Sequence, residues 1–265
     1  MSIISNGEAK SASGGIQLPF PVIYPYIVNG SAALEQAHKV LFCGGWIVGQ
    51  DKMDELCKAE GRNVPVGWAK IKKINKDQTA NLVYGTQNIY AAPIAFRQSW
   101  ESENGGRSPT FYKDKTGKTW RQHIQYLCYL GEEIDDVLRP WGPLVLTVKG
   151  FQANYLDGAF RTFASKTKAA RTAFGKPDAR SFYTPVGTFG NEPAVEMKGS
   201  GDQSPITPIQ TLVPKVMDAN LMKTLYVSDD ILGELNQLLS EADEWLNAWK
   251  TRQVAQEGEE MVDVG

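Results

Sequence analysis

The sequence predicts an α+β fold that is mainly β, and three observations support that prediction. Several segments between residues 68 and 150 alternate apolar and polar residues, as half-buried strands do. One segment of about twenty residues and another near the C-terminus repeat apolar residues at helical spacing. The chain has 265 residues, 42% of them hydrophobic and 22% charged, which is enough to bury a full core. We therefore expect one domain with added elements, or one and a half domains.

The N-terminal quarter of the chain is predicted to be an arm followed by an extension. Residues 1–15 are small and polar, which predicts a disordered arm. Residues 16–28 contain three prolines and should be extended, either at a sheet edge or over the surface. Short helices are predicted at 31–39 and 51–59, each beginning at a capping residue. We expect residues 16–61 to pack on the core as an N-terminal extension.

Alternating strands are predicted to follow the extension. In residues 68–74, the period of two places Trp68, Lys70 and Lys72 on one outward face. Residues 81–96 predict one bent strand or two, interrupted at a glycine and a proline. The outward face of the first strand would therefore combine an aromatic ring with two cations.

A polar excursion and further strands are predicted in the middle of the chain. Residues 101–119 are rich in glycine and polar side chains, which predicts a hairpin tip or a loop. Residues 120–130 alternate and predict a half-buried strand. Residues 131–142 are predicted to form a turn of helix that ends at Pro140, and residues 143–150 a further strand.

Two longer helices are predicted in the second half of the chain, with two strand-like segments between them. Apolar residues cluster on one face over residues 154–174, and Arg161 and Lys168 project from the opposite side. A strong apolar stripe runs over residues 231–249, after two aspartates that suit a helix N-terminus. The predicted division of the chain is an arm at 1–15, an extension at 16–61, a core at 62–227, a C-terminal helix at 228–250 and an acidic disordered tail at 251–265.

Charge is segregated along the chain although the net charge is only −2. Residues 62–126 hold eleven Lys and Arg against four acidic residues, and residues 149–181 hold seven against two. Residues 228–265 hold ten acidic residues against two basic ones. A basic block of this size can attract a polyanion, although a charge run can also be a solvated face.

A cofactor, a metal or an enzyme active site is not predicted. The Gly-Lys-Thr at residues 117–119 lacks the preceding glycine of a phosphate-binding loop. The two histidines and three cysteines have none of the close spacings of structural zinc sites, which favours buried thiols. The four acidic residues within 132–136 are more typical of a solvated helix start than of a metal site. We expect no enzymatic activity, no cofactor and no metal.

Composition also indicates the compartment. The N-terminus lacks the basic-then-apolar order of a secretory signal, and no segment is apolar over the ~18 residues that a membrane helix needs. Three cysteines without a Cys-x-x-Cys pair suit a reducing compartment. We therefore predict a soluble, cytoplasmic protein that does not bind a membrane.

Aromatic residues and cations are interleaved throughout the basic block. Bases stack on aromatic rings while cations follow the phosphates, so this pattern is typical of a surface that binds single-stranded nucleic acid. The same aromatics could instead be core residues or cross-strand partners. The candidate nucleic-acid-binding residues are Trp68, Lys70, Lys72, Lys73, Arg97, Trp100, Arg107, Phe111, Tyr112, Lys113, Lys115, Lys118 and Arg121.

Several strands, a long helix and two more strands follow one another in residues 62–215, and this order resembles the OB-fold single-stranded DNA-binding proteins of bacteria, phages and plasmids. The resemblance implies an OB-like barrel and sequence-tolerant binding of single-stranded DNA, or of RNA, in replication or recombination. It also implies an acidic tail that contacts protein partners or competes with the nucleic acid. The tail residues concerned are Glu257, Glu259, Glu260 and Asp263, in a chain that ends Met-Val-Asp-Val-Gly rather than in an aromatic residue.

Two other functions compete with nucleic-acid binding. The chain could be a structural or assembly protein of a phage or mobile element, in which the aromatics are core and the 231–249 helix forms a homo-oligomer. An enzyme of unfamiliar type is the third possibility. Salt-dependent retention on an oligonucleotide would separate the first two, because phosphate contacts release counterions.

Overall fold

The computed structural model describes eight parts of the chain. They are residues 16–28, 44–74, 79–101, 106–109, 120–188, 196–198, 204–213 and 217–250. The predicted arm, the helix at 31–39 and the acidic tail therefore lie outside the described residues.

Among the described residues, most strands lie before residue 150 and most helices lie after it. The strands are β1 (Tyr26–Val28), β2 (Gly45–Gly49), β3 (Ala69–Ile74), β4 (Ala80–Thr86), β5 (Asn88–Glu101), β6 (Arg107–Ser108), β7 (Arg121–Ile134), β8 (Val137–Lys149), β9 (Thr184–Thr188), β10 (Glu196–Lys198), β11 (Ser204–Ile206) and β12 (Ile209–Thr211). The α-helices are α1 (Gln50–Glu60), α2 (Phe151–Ala173), α3 (Ala219–Leu225), α4 (Asp229–Glu241) and α5 (Asp243–Asn247), with a 3₁₀ turn at Ala179–Ser181.

Ten of these strands form one mixed sheet. Its order is β12-β9-β5-β7-β8-β1-β2-β4-β3, with β6 paired to the end of β5, while β10 and β11 pair with each other. The pairing of β1 with β8 is parallel and the other pairings of the sheet are antiparallel. The predicted α+β class is therefore confirmed. Because the sheet runs from β12 to β3 without closing, an OB-like barrel is not confirmed.

Residues 23–28 of the proline-rich segment lie inside the sheet, between β8 and β2, so the prediction of an edge or surface position is wrong for this part. Ile23 and Pro25 accept hydrogen bonds through their carbonyls from the amides of Val145 and Thr147. A proline lacks the amide donor but keeps the carbonyl acceptor, so it can precede an interior strand when only its carbonyl is needed. The segment predicted as an extension thus supplies a strand between β8 and β2.

The helical turn predicted at 131–142 is also wrong. β7 continues to Ile134 and β8 begins at Val137, so the two residues between them form a tight hairpin turn. Asp135 and Asp136 have φ values of 52° and 61°. Two central residues with positive φ are the mark of a type I′ hairpin turn, for which aspartate is a favoured residue.

The strands β7 and β8 are buried on both faces. We call the face that α2 covers the α2 face, where Leu156 and Phe160 join one core cluster. The opposite, C-terminal face is covered by α4 and α5, whose Leu235, Leu238 and Trp245 join a second cluster. Both predicted apolar stripes are therefore confirmed as packing surfaces, and the stripe of residues 231–249 packs on the chain's own sheet.

The thiols of the described residues agree with the prediction of buried free cysteines. Cys57 and Cys128 are both buried and form no disulfide. Burial raises the pKa of each thiol, so both stay protonated at neutral pH. Cys43 lies outside the described residues.

Candidate nucleic-acid interface

A β-bulge in β5 decides which side chains of this strand reach each face of the sheet. Pro93 is paired with Cys128 and Ala95 with Leu127, so Ile94 is an extra residue. Because a bulge shifts the alternation by one, Ala91 lies on the α2 face before it. After the bulge, even-numbered residues from Phe96 onward lie on that face.

Phe96 is an exposed aromatic ring held by buried aromatic neighbours. Its ring centroid lies 5.3 Å from that of Tyr126, which in turn lies 4.8 Å from the ring of Phe160 in α2. Phe96 is 52% exposed, whereas Tyr126 and Phe160 are buried. Gln98 and the half-buried Trp100 follow on the same face of β5. The result is a group of aromatic side chains on β5 and β7 beside the helix, of which Phe96 is the most exposed.

A carboxylate connects this aromatic surface to a cation of α2. The hydroxyl of Tyr126 donates to Asp157 Oδ1 over 2.7 Å, and Arg161 Nε pairs with Asp157 Oδ2 over 2.7 Å. Burial, and then the Asp157 carboxylate, raise the pKa of Tyr126, so its hydroxyl remains a donor at neutral pH. The Arg161 side chain is 80% exposed, and the exposed Lys168 lies two turns further along the same helix face.

We call this set of side chains the Phe96 surface. It combines a ring that can stack a base with guanidinium and ammonium groups that can contact phosphates. Its members are Phe96, Trp100, Tyr126, Arg161 and Lys168.

A second basic surface lies on β3 at the far end of the sheet. Lys70 and Lys72 are exposed, as the alternation predicts. Lys70 Nζ lies 5.4 Å from the centre of the Tyr84 ring, and its hydrogen bond to Tyr84 raises the pKa of Lys70. Lys73 does not join them, because it points to the other side of β3 and donates to the hydroxyl of Tyr26 over 2.9 Å. We call Lys70 and Lys72 the β3 surface.

Trp68 cannot serve as a stacking platform in this structure. The strand begins at Ala69, so the period of two does not extend to Trp68. The tryptophan instead follows Gly67 in a turn, where its amide donates to the carbonyl of Pro65. It is only 8% exposed and belongs to the core cluster of the α2 face.

Arg97 is likewise a buried structural residue and not a phosphate contact. Its guanidinium carbon lies 4.0 Å and 4.2 Å from the ring centres of Trp245 and Trp249. Nε and Nη2 donate to Gln125 Oε1, and Nη1 donates to the carbonyl of Trp245 over 2.7 Å. Burial lowers the pKa of Arg97 to about 9, so the group is still a cation at pH 7.

The remaining predicted site and tail residues divide into three groups. Arg107 is bound within the protein, because Nη2 donates to Glu101 Oε1 over 2.9 Å and the guanidinium lies over Trp249. Arg121 is exposed at the start of β7. The predicted site residues Phe111, Tyr112, Lys113, Lys115 and Lys118, and the tail residues Glu257, Glu259, Glu260 and Asp263, lie outside the described residues.

The described part of the chain holds no group of three or more His, Cys, Asp or Glu side chains that could bind a metal ion. The two glutamates before the β7–β8 turn have separate partners. Glu132 accepts from the amide of Val66, and Glu133 accepts from the hydroxyl of Tyr90. No helix among the described residues is long and apolar enough to cross a bilayer.

Comparison with known proteins gives no match to a protein-family model, a curated protein or a solved structure. The function of the chain therefore has to follow from the geometry of its own residues.

Four members of the Phe96 surface were not among the predicted site residues, namely Phe96, Tyr126, Arg161 and Lys168. Phe96 belongs to the aromatics of the basic block, and the helical period places Arg161 and Lys168 on a polar face. No local pattern brings α2 beside β5, because these elements are fifty residues or more apart in the chain. Only the bulge and the packing of α2 on the sheet bring these groups together.

Proposed function

We propose that the protein is a non-enzymatic, sequence-tolerant single-stranded DNA-binding protein of replication or recombination. The observation that supports this function best is the exposed ring of Phe96 in contact with buried Tyr126, whose hydroxyl shares Asp157 with the exposed Arg161. A ring packed against a buried neighbour can stack a base without losing much further freedom. Stacking on such rings contributes about 1–3 kcal/mol per base and tolerates any sequence.

The chemistry of the Phe96 surface favours a single strand over a duplex. A base must leave the helical stack to lie flat on a protein ring, and the bases of a single strand are free to do so. The cations of α2 would then bind the backbone of the same strand on its outer side. The OB-like core of residues 62–227 remains part of this proposal, with β5 and β7 as its binding strands.

The first test is replacement of Phe96 by alanine. We expect affinity for a fluorescently labelled oligo(dT) to fall about 5- to 100-fold, because one stacked base is lost. Fluorescence anisotropy at fixed salt measures this change. Leu82→Ala is the matched control, since Leu82 is 60% exposed on β4 and lies outside the Phe96 surface. Equal affinities for Phe96→Ala and the wild type would remove the ring from the binding site.

A second prediction compares the two basic surfaces by the same change of charge. Arg161→Glu with Lys168→Glu should weaken binding to oligo(dT) and lower the slope of log affinity against log salt by about 1.4, the value for two single-strand phosphate contacts. Lys70→Glu with Lys72→Glu should leave that slope nearly unchanged. The measurement is a salt titration of each variant by anisotropy.

The opposite ranking of the two variants would place the nucleic acid on the β3 surface and contradict the proposed site. Failure of the wild-type protein to bind oligo(dT) at low salt would contradict the proposed function itself. That result would favour the structural or assembly protein, for which the internal positions of Trp68, Trp245 and Trp249 give some support.

A further inference from the structure

A cluster of charged side chains lies beneath residues 245–249, where β5 and β8 end and where β6 and β7 begin. Its lysine, Lys149, is partly exposed. Glu101 is its only carboxylate among the described residues. Oε1 of Glu101 accepts from Arg107 Nη2 over 2.9 Å, and Oε2 accepts from Lys149 Nζ over 2.9 Å. Trp249 covers the cluster, because its ring lies against Arg97, Arg107 and His123. We call these residues the Glu101 cluster.

His123 occupies the centre of the Glu101 cluster with one nitrogen paired and one unpaired. Nδ1 lies 2.7 Å from Glu101 Oε1, and since a carboxylate only accepts, Nδ1 carries the hydrogen. Nε2 is buried and has no hydrogen-bond partner among the described residues. The imidazole ring lies 4.7 Å from the ring of Trp249. Neutral His123 therefore fits the site, because its unprotonated Nε2 has no hydrogen to donate.

A proton on Nε2 would destabilise the Glu101 cluster in two ways. The new N–H would be buried without an acceptor, which is a costly arrangement. The new positive charge would also face Arg97 from β5, Arg107 from β6 and Lys149 from β8. Glu101 alone would offset the four cations, because the groups that residues 245–249 place against the cluster, the rings of Trp245 and Trp249 and the carbonyl of Trp245, are uncharged.

We propose that His123 is a proton switch whose protonation releases the C-terminal segment, residues 243–250, from the sheet. In the released state water and buffer anions can reach Nε2, while Arg97 and Arg107 lose their tryptophan neighbours. The switch uses no residue of the Phe96 surface and does not depend on the proposed function.

The pKa of His123 supports this direction. Burial lowers it, together with the charges of Lys149 and Arg107, and these effects outweigh the hydrogen bond and charge of Glu101, which raise it. A docked state with the lower pKa binds fewer protons than the released state, whose His123 would have a pKa of about 6.5. Docking is therefore strongest above pH ~6.5 and weakens as the pH falls below that value. Glu101 does not oppose this trend, because His123 and Lys149 outweigh burial and hold its pKa well below its usual range.

Amide hydrogen exchange of the full-length protein tests the proposal. The five residues of α5 cannot stay helical without the sheet, so their amides exchange on release. After correction for the intrinsic exchange rate, we expect the protection of a peptide covering 243–250 to fall by up to about 16-fold between pH 6.5 and 5.0. Peptides of α2 should keep their protection.

Histidine variants identify the titrating group, because the chain has only two histidines. In His123→Asn, the amide can still donate to Glu101 but cannot titrate, so the loss of protection should disappear. His123→Phe should do the same while keeping a ring against Trp249. In His38→Asn the loss should persist. Constant protection in the wild type, or an unchanged loss in both His123 variants, would overturn the proposal.

Discussion

Replacing Arg97 by alanine is expected to lower the free energy of unfolding by about 3–5 kcal/mol. The change removes a guanidinium from between two tryptophan rings and leaves the acceptors Gln125 Oε1 and the Trp245 carbonyl without their donors. A cavity and two unsatisfied buried groups then add to the lost cation–π contacts. Urea unfolding followed by circular dichroism measures the effect.

Two variants make the Arg97 result specific. Arg161→Ala removes an exposed arginine whose surface ion pair should contribute less than about 1 kcal/mol. Arg97→Lys keeps the charge but not the planar group that donates to Gln125 and stacks on the rings, so it should restore only part of the stability. A loss below about 1 kcal/mol for Arg97→Ala would mean that the guanidinium does not hold α5 on the sheet.

The second large effect is expected from Leu235→Asp. Leu235 of α4 is buried in the cluster of the C-terminal face, with Ile94, Leu127 and Val145. A carboxylate there would lose its hydration and gain no described cation as partner, so we expect a loss of about 4 kcal/mol or more. Asn236→Asp is the control, since its exposed neighbour position on α4 should tolerate the same charge within about 0.5 kcal/mol. Thermal unfolding of both variants measures the difference.

The Leu235→Asp variant also distinguishes packing of α4 on the chain's own sheet from packing against a second copy of the chain. If Leu235→Asp were to leave the melting temperature unchanged and alter only the mass in solution, the apolar stripe would serve a second copy of the chain. Loss of stability at constant mass agrees with the structure. Light scattering alongside the thermal measurement separates these two results.

Elements that depend on local pattern could be predicted from the sequence. The apolar periodicity predicted a helix over residues 154–174, close to the observed α2 (Phe151–Ala173). The alternation in β3 correctly predicted that Lys70 and Lys72 are exposed. The pattern could not show where a strand begins, so Trp68 was assigned to the outward face although it precedes β3. It also did not distinguish an Asp-Asp hairpin turn from a helix start, because aspartate suits both.

The candidate site depended on contacts that no local pattern contains. The bulge at Ile94 exchanges the two faces of β5, so Phe96 reaches the α2 face and Arg97 the C-terminal face. Without the bulge, Arg97 would lie on the α2 face. The predicted surface of cations and aromatic rings would then have matched the structure more closely. Arg97 is buried and not exposed because Trp245 and Trp249, almost 150 positions further along the chain, pack against its guanidinium.

The parallel pairing of β1 with β8 has a consequence for the order of folding. The β7–β8 hairpin closes through two residues and can form early, because its contacts are local in the chain. β1 must find β8 across more than a hundred intervening residues, and its register includes only Tyr26 with Thr147 and an isolated bridge from Ile23 to Leu144. This short seam joins β12-β9-β5-β7-β8 to β1-β2-β4-β3. Closing this seam brings together strands that are far apart in the chain, so its loop-closure entropy opposes early formation of the complete sheet.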